Sequence, residues 1–171
     1  MQFEDVLGKQ VLVLDGAMGT MVQNLDLDDA AFGGPAFKML TDLLIFSRPD
    51  DLEEIHLKYL RAGANLIETD TFGASPLRLQ EFDFTQIDLT DIRAIPQGLD
   101  LKKSDYIAIT YHLNVQGCRI ARKAIDQYQS EPAYDGRPLF VAGSIGPSNY
   151  CLLYTSPSPR DLSTSRMPSS A

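Results

Sequence analysis

Apolar positions along this chain follow two rhythms. Residues 10–14 (QVLVL) form an unbroken apolar run of strand length that ends on Asp15 and Gly16, the pattern of a strand covered on both faces. A helical rhythm begins near Pro49, where Leu52, Ile55, Tyr59 and Leu60 fall on one face. Ser47 is the expected cap, Pro49 suits a first turn, and Asp50, Asp51, Glu53 and Glu54 favour the positive end of the helix dipole. Gly63 is placed to close that helix. A second strand follows at 65–69 (NLIET), then a short helix over 76–82. Residues 83–104, with Pro96, Gly98 and scattered charges, read as an insertion or long loop. A helix over 106–129 presents Leu113, Ile120, Ala121, Ala124 and Ile125 as its apolar positions, and 138–142 (PLFVA) is a third strand.

The order strand–helix–strand–helix–strand predicts an α/β fold with a parallel sheet and right-handed crossovers. Periodicity alone leaves open whether the sheet is open or closes into a barrel. The pattern stops after Tyr150. Residues 151–171 carry six serines and three prolines, too little apolar surface to offset the entropy of ordering. We therefore read 1–150 as the folded part and 151–171 as a disordered tail. That tail also resembles translated adaptor or vector sequence, which would make it artefactual.

The net charge of −8 speaks against a nucleic-acid partner, because phosphate neutralisation needs a basic face. No apolar run reaches the length of a membrane span, and the first residues lack the pattern of a secretory signal. A reducing, cytoplasmic setting is the expectation. Cys118 and Cys151 match no metal-ligand spacing.

The candidate chemistry lies at the C-terminal ends of the three expected strands: Asp15-Gly16-Ala17-Met18-Gly19-Thr20, Glu68-Thr69-Asp70-Thr71-Phe72-Gly73, and Gly143-Ser144-Ile145-Gly146-Pro147. Parallel α/β folds bind ligands at that edge, and in barrels it is the catalytic face. Asp15 suits a ligand ammonium, with the Ala17 and Met18 backbone N–H groups available to a carboxylate; its plainer reading is a turn cap. Asp70 divides evenly between a site carboxylate and a loop hydrogen bond. Ser144 would sit near the pocket floor or serve the loop alone. DGAMGT does not fit a dinucleotide fingerprint, and no phosphate-binding loop follows. His56 and His112 fall on helices, where packing is the expected role, and no nucleophile–His–acid set is legible.

These segments carry a resemblance. LDGAMGTMVQ (14–23), TDLLIFSRPDDLEEIHLKYLRAGANLIETDTFGAS (41–75), LNVQGCRIAR (113–122) and FVAGSIGPSN (140–149) resemble, in order, the homocysteine-binding barrel of cobalamin-dependent methionine synthases. The betaine–homocysteine and S-methylmethionine–homocysteine methyltransferases are more weakly similar. The resemblance implies a (β/α)8 TIM barrel, of which this chain holds only the first three βα units, and homocysteine as substrate. It implies that Asp15 with the backbone of Gly16, Ala17 and Met18 holds the amino acid end; Asp70 and Ser144 join the same candidate site by their positions at the strand ends.

It also implies zinc on the sulfur, turning a thiol of pKa about 8.5 into a thiolate. The methyl group would come from methylcobalamin, recharged by methyltetrahydrofolate on further domains. The sequence departs from the pattern in several places. The family's zinc cysteines lie on later strands, and neither Cys118 nor Cys151 replaces them. Asp70 stands where Asn is usual, His112 stands where Glu is common, and 83–104 is longer. The expectation is an inactive fragment of a zinc-dependent methyltransferase that binds neither zinc nor methylcobalamin by itself. The alternatives are a non-catalytic small-molecule-binding or interaction protein reusing the barrel start, and an aldolase-like lyase, for which no partner lysine is visible.

Overall fold

The computed structural model describes residues 2–146. Its helices are α1 (Phe3–Val6), α2 (Met18–Gln23), α3 (Leu44–Ser47), α4 (Pro49–Ala62), α5 (Pro76–Leu79) and α6 (Tyr106–Ser130). Short 3-10 turns cover Asp29–Phe32, Pro35–Phe37, Thr41–Leu43 and Phe84–Gln86. Two parallel strands, β1 (Leu66–Glu68) and β2 (Phe140–Ala142), pair in register Leu66 to Phe140, Ile67 to Val141 and Glu68 to Ala142. Among the described residues the sheet is thus two strands, one fewer than the pattern predicts, and no partial barrel of three βα units is seen.

The missing strand is the apolar run at 10–14. Only Leu14 forms a parallel bridge, to Leu66, and the buried strand expected there is largely exposed, with Val11 at 88% and Val13 at 51%. The physical reason is lateral. Its β1 side is bonded through Val13 and Asp15, while no strand among the described residues pairs with its other side, so the run lacks the neighbours that would cover it. Asn65 fixes what pairing exists. Its side chain accepts from Val13 N at 3.1 Å and donates to the Pro138 carbonyl at 3.0 Å, tying three segments together where they enter the sheet.

Helix α4 forms where the apolar rhythm places it, burying Leu52, Ile55 and Leu60 with Tyr59 half-buried. Gly63 ends it at φ +112. Ser47 is not its cap. Arg48 holds that position without a side-chain bond, and the buried Ser47 hydroxyl donates instead to the Ala31 carbonyl at 2.5 Å. Helix α6 has the cap that the sequence reading overlooked, Asp105, whose carboxylate accepts from Ala108 N at 2.7 Å. Helix α5 stops at Leu79, short of the expected Phe82.

The core has two parts. One packs α4 and α6 under the sheet, through Leu57, Leu60, Ile67, Ala121, Ala124 and Ile125. The other gathers Phe37, Leu43 to Phe46, Leu79, Leu113 and their neighbours. Residues 83–104 are irregular, as expected, yet Phe84, Ile87, Ile92, Leu99 and Leu101 are buried in this second cluster. Burial of each such side chain contributes roughly 1.5–3 kcal/mol, so the segment is part of the fold and not an appended loop. No helix among the described residues is long and apolar enough to cross a membrane.

Candidate functional site

The three strand-end segments do meet. Asp15 N donates to the Leu66 carbonyl at 2.9 Å, which carries the first segment to the end of β1. There the Asp15 carboxylate accepts the Glu68 N–H on both oxygens, at 3.1 and 3.0 Å. It does not cap the turn that follows it, as the plainer reading of the sequence had it. Burial raises the Asp15 carboxyl to about 6, opposed by the Glu68 N–H and assisted by the Glu68 charge. The same carboxylate raises the Tyr59 phenol further after burial has done so. Ala17, next along the segment, has φ +49 and leads into α2. That conformation costs a residue with a Cβ about 1–2 kcal/mol, a strain of the kind that collects at functional sites.

The second and third segments are stitched through threonines. Thr69 and Thr71 are both buried and their hydroxyls lie 2.7 Å apart. Ser144 N donates to the Thr69 hydroxyl at 3.1 Å, and the Thr71 hydroxyl donates to the Ser144 carbonyl at 3.0 Å. Gly146 N then reaches the Phe72 carbonyl at 2.9 Å. Ser144 is therefore held by its backbone. Phe72 is exposed at this edge. Asp70 is buried, and its Oδ2 receives no hydrogen bond.

Helix α6 closes the floor. A Cβ on Gly117 would lie 2.8 Å from Thr71 Cγ2 and 3.3 Å from Ile45 Cδ1, so only glycine lets the helix approach the threonine turn this closely. Asn114 adds a bond from its side-chain amide to the Ala74 carbonyl at 2.9 Å.

Asp42, which the sequence reading did not single out, also belongs to this region. It sits in the turn Thr41–Leu43 and its Oδ1 accepts from Gly73 N at 2.9 Å. A lone acid directly before the apolar run LLIF was its only signal in the sequence. His56 is buried as expected, but its Nδ1 has no partner. Burial lowers its pKa to about 4, so it is neutral near pH 7. His112 is half-exposed on α6 beside Tyr111.

A sequence profile of the homocysteine S-methyltransferases matches residues 12–168. The chain belongs to that family. Two structures of the homocysteine methyltransferase MmuM from Escherichia coli, in metallated and oxidized form, are similar to it. Each is 28% identical, with TM-scores of 0.58 and 0.59, over 84% of this chain and 40% of that one. The chain thus spans less than half the length of these relatives.

The resemblance drawn from the sequence implies a zinc ion. Among the described residues no three His, Cys, Asp or Glu side chains are placed to share a metal ion. Cys118 is exposed on α6. Pro147, Cys151 and the segment 151–171 lie outside the described residues. The described residues alone therefore do not fit a zinc ion.

Proposed function

We propose that this chain is the opening part of a homocysteine S-methyltransferase barrel and that its strand ends hold the amino acid end of homocysteine. One observation carries the reading: Asp15, half-buried at the ligand edge, is fixed by the Glu68 N–H and retains lone pairs for a ligand ammonium. The backbone of Gly16, Ala17 and Met18 would serve the ligand carboxylate, and Ser144 would lie in the floor. In this reading zinc and methylcobalamin act in the complete enzyme, of the cobalamin-dependent methionine synthase type. This chain alone binds neither and transfers no methyl group.

Calorimetric titration of the full chain tests it, with L-homocysteine against 4-mercaptobutyrate, the analogue lacking the amino group. Binding of homocysteine that is lost in the analogue and in Asp15→Asn supports the proposal. Equal binding of both ligands, or an unaffected Asp15→Asn, would sink it.

A further inference from the structure

Beneath the ligand edge lie two further buried acids, Asp70 and Asp42. Asp70 is 6% exposed, and its Oδ2, closed off from solvent, accepts from no donor. Asp42 is 2% exposed. One of its oxygens takes the Gly73 N–H at 2.9 Å, and the other lies where a Cβ on Gly73 would be 2.6 Å away. Asp70 directly precedes, and Gly73 lies within, one turn, closed by Ala74 N to the Thr71 carbonyl at 3.1 Å. The Asp42 carboxylate therefore reaches into the turn that follows a buried acid with an unsatisfied oxygen. Two ionised carboxylates buried together repel, and each has also lost its hydration. Protonation removes both difficulties, because it turns the orphaned acceptor into a donor.

We propose that Asp42 and Asp70 hold one proton between them, with the protonated Asp70 donating to the Asp42 carboxylate, and that this proton fastens the 69–74 turn under the site. The surroundings are consistent with it. Leu44 to Phe46 of α3 are apolar and buried. From α6 the turn is met by Asn114 and Gly117, which are uncharged. From α5 Arg78 favours ionisation of Asp42 but is itself paired with Glu81. Of the other buried groups, Glu53 is paired with Lys123 and His56 is neutral near pH 7. Burial and then the Asp42 charge raise Asp70 to about 7, and burial raises Asp42 to about 6 against bonds from backbone N–H groups. Above neutral pH the proton leaves to solvent, and the turn loses the bond that joins it to Asp42 through Asp70. The inference does not depend on which ligand the strand ends take.

Carbon-13 carboxyl NMR of the full chain, titrated between about pH 5 and pH 8 with and without potassium chloride, tests it, together with hydrogen exchange at Gly73. The expected result is one proton retained by the pair at pH 6 and released towards pH 8, insensitive to potassium. Gly73 exchange should then rise on the order of tenfold beyond its intrinsic pH dependence. In Asp70→Asn, where an amide donor is permanent, Gly73 protection becomes independent of pH. Two ionised carboxyls at pH 6 would overturn the proposal. So would unchanged Gly73 protection in the native chain, or a titration displaced by potassium, which would mean that a cation occupies the pair. Should Asp70→Asn fail to fold, the native titration decides alone.

Discussion

The Asp15 carboxylate takes the Glu68 backbone N–H between its two oxygens, at 3.1 and 3.0 Å. This bond does two things. It fixes a half-buried acid at the ligand end of β1, and it sets that acid beside the Glu68 charge, which helps to raise it to about 6.

A pH dependence of binding follows. Only the ionised form of Asp15 holds an ammonium, and ionisation falls as pH drops through about 6. Affinity for L-homocysteine should be about tenfold weaker at pH 5 than at pH 7, from the change in ionised fraction alone. Calorimetry across that range checks it. In Asp15→Asn the residual affinity should be flat.

The close approach of α6 to the threonine turn makes Gly117 sensitive. Alanine favours helices by up to about 1 kcal/mol, yet its Cβ would press on Thr71 at 2.8 Å. Overpacking of this kind costs about 1–3 kcal/mol. Gly117→Ala should therefore lower stability in urea unfolding, whereas Cys118→Ala, at the exposed next position, should stay within about 0.5 kcal/mol of the parent. Equal effects at the two positions would contradict the packing.

What could be read from the sequence was what local chemistry decides. Helix α4 shows in its apolar spacing, its Pro49 start and its Gly63 end, because each acts within a few residues. The three strand-end segments were legible as turns after apolar runs, and they do meet. Ser47 was misread because a serine before a helix can cap it, but its hydroxyl is taken by Ala31, sixteen residues away. The run at 10–14 was misread for a related reason: whether a strand is buried depends on its neighbours, which its own residues do not encode. Asp42 was missed because its partner, Gly73, is 31 positions distant.

The same exposed run bears on handling. Val11, Val13 and Leu14 are at least half exposed on a segment bonded to β1 along one side, a surface that invites strand pairing between copies. The full chain should self-associate at micromolar concentration in sedimentation, and Val11→Lys with Val13→Lys should reduce this. Metal analysis after dialysis should find well under one zinc per chain. A tightly bound equivalent would mean that ligands outside the described residues complete a site.

Stability should depend on pH through two opposed contributions. His56 is depressed from 6.5 to about 4 by burial. The unfolded chain binds its proton first, so the stability from burying neutral His56 is present above about 6.5 and is lost as pH falls towards 4. The side chain is almost wholly buried, and the full loss is on the order of 3 kcal/mol. The Asp42 and Asp70 pair acts in the other sense. Both are raised from 3.8, to about 6 and about 7, so the native chain binds their protons first. Their contribution is complete below about pH 4 and is lost as pH rises through 6 to 7. Between about pH 4 and 6 the two carboxyl protons outweigh the one histidine proton, and between about 6 and 6.5 the remaining Asp70 proton and the histidine nearly balance. Stability from urea unfolding at half-unit intervals from pH 4.5 to pH 8 should therefore fall from pH 4.5 to about 6 and flatten towards 7. His56→Gln should unmask the carboxyl trend, with stability falling from pH 4.5 to about 7. Asp70→Asn leaves one carboxyl against the histidine, so its profile should be nearly level from pH 4.5 to about 6, without the fall of the parent. A profile unchanged in His56→Gln would mean that His56 is not the group that resists protonation.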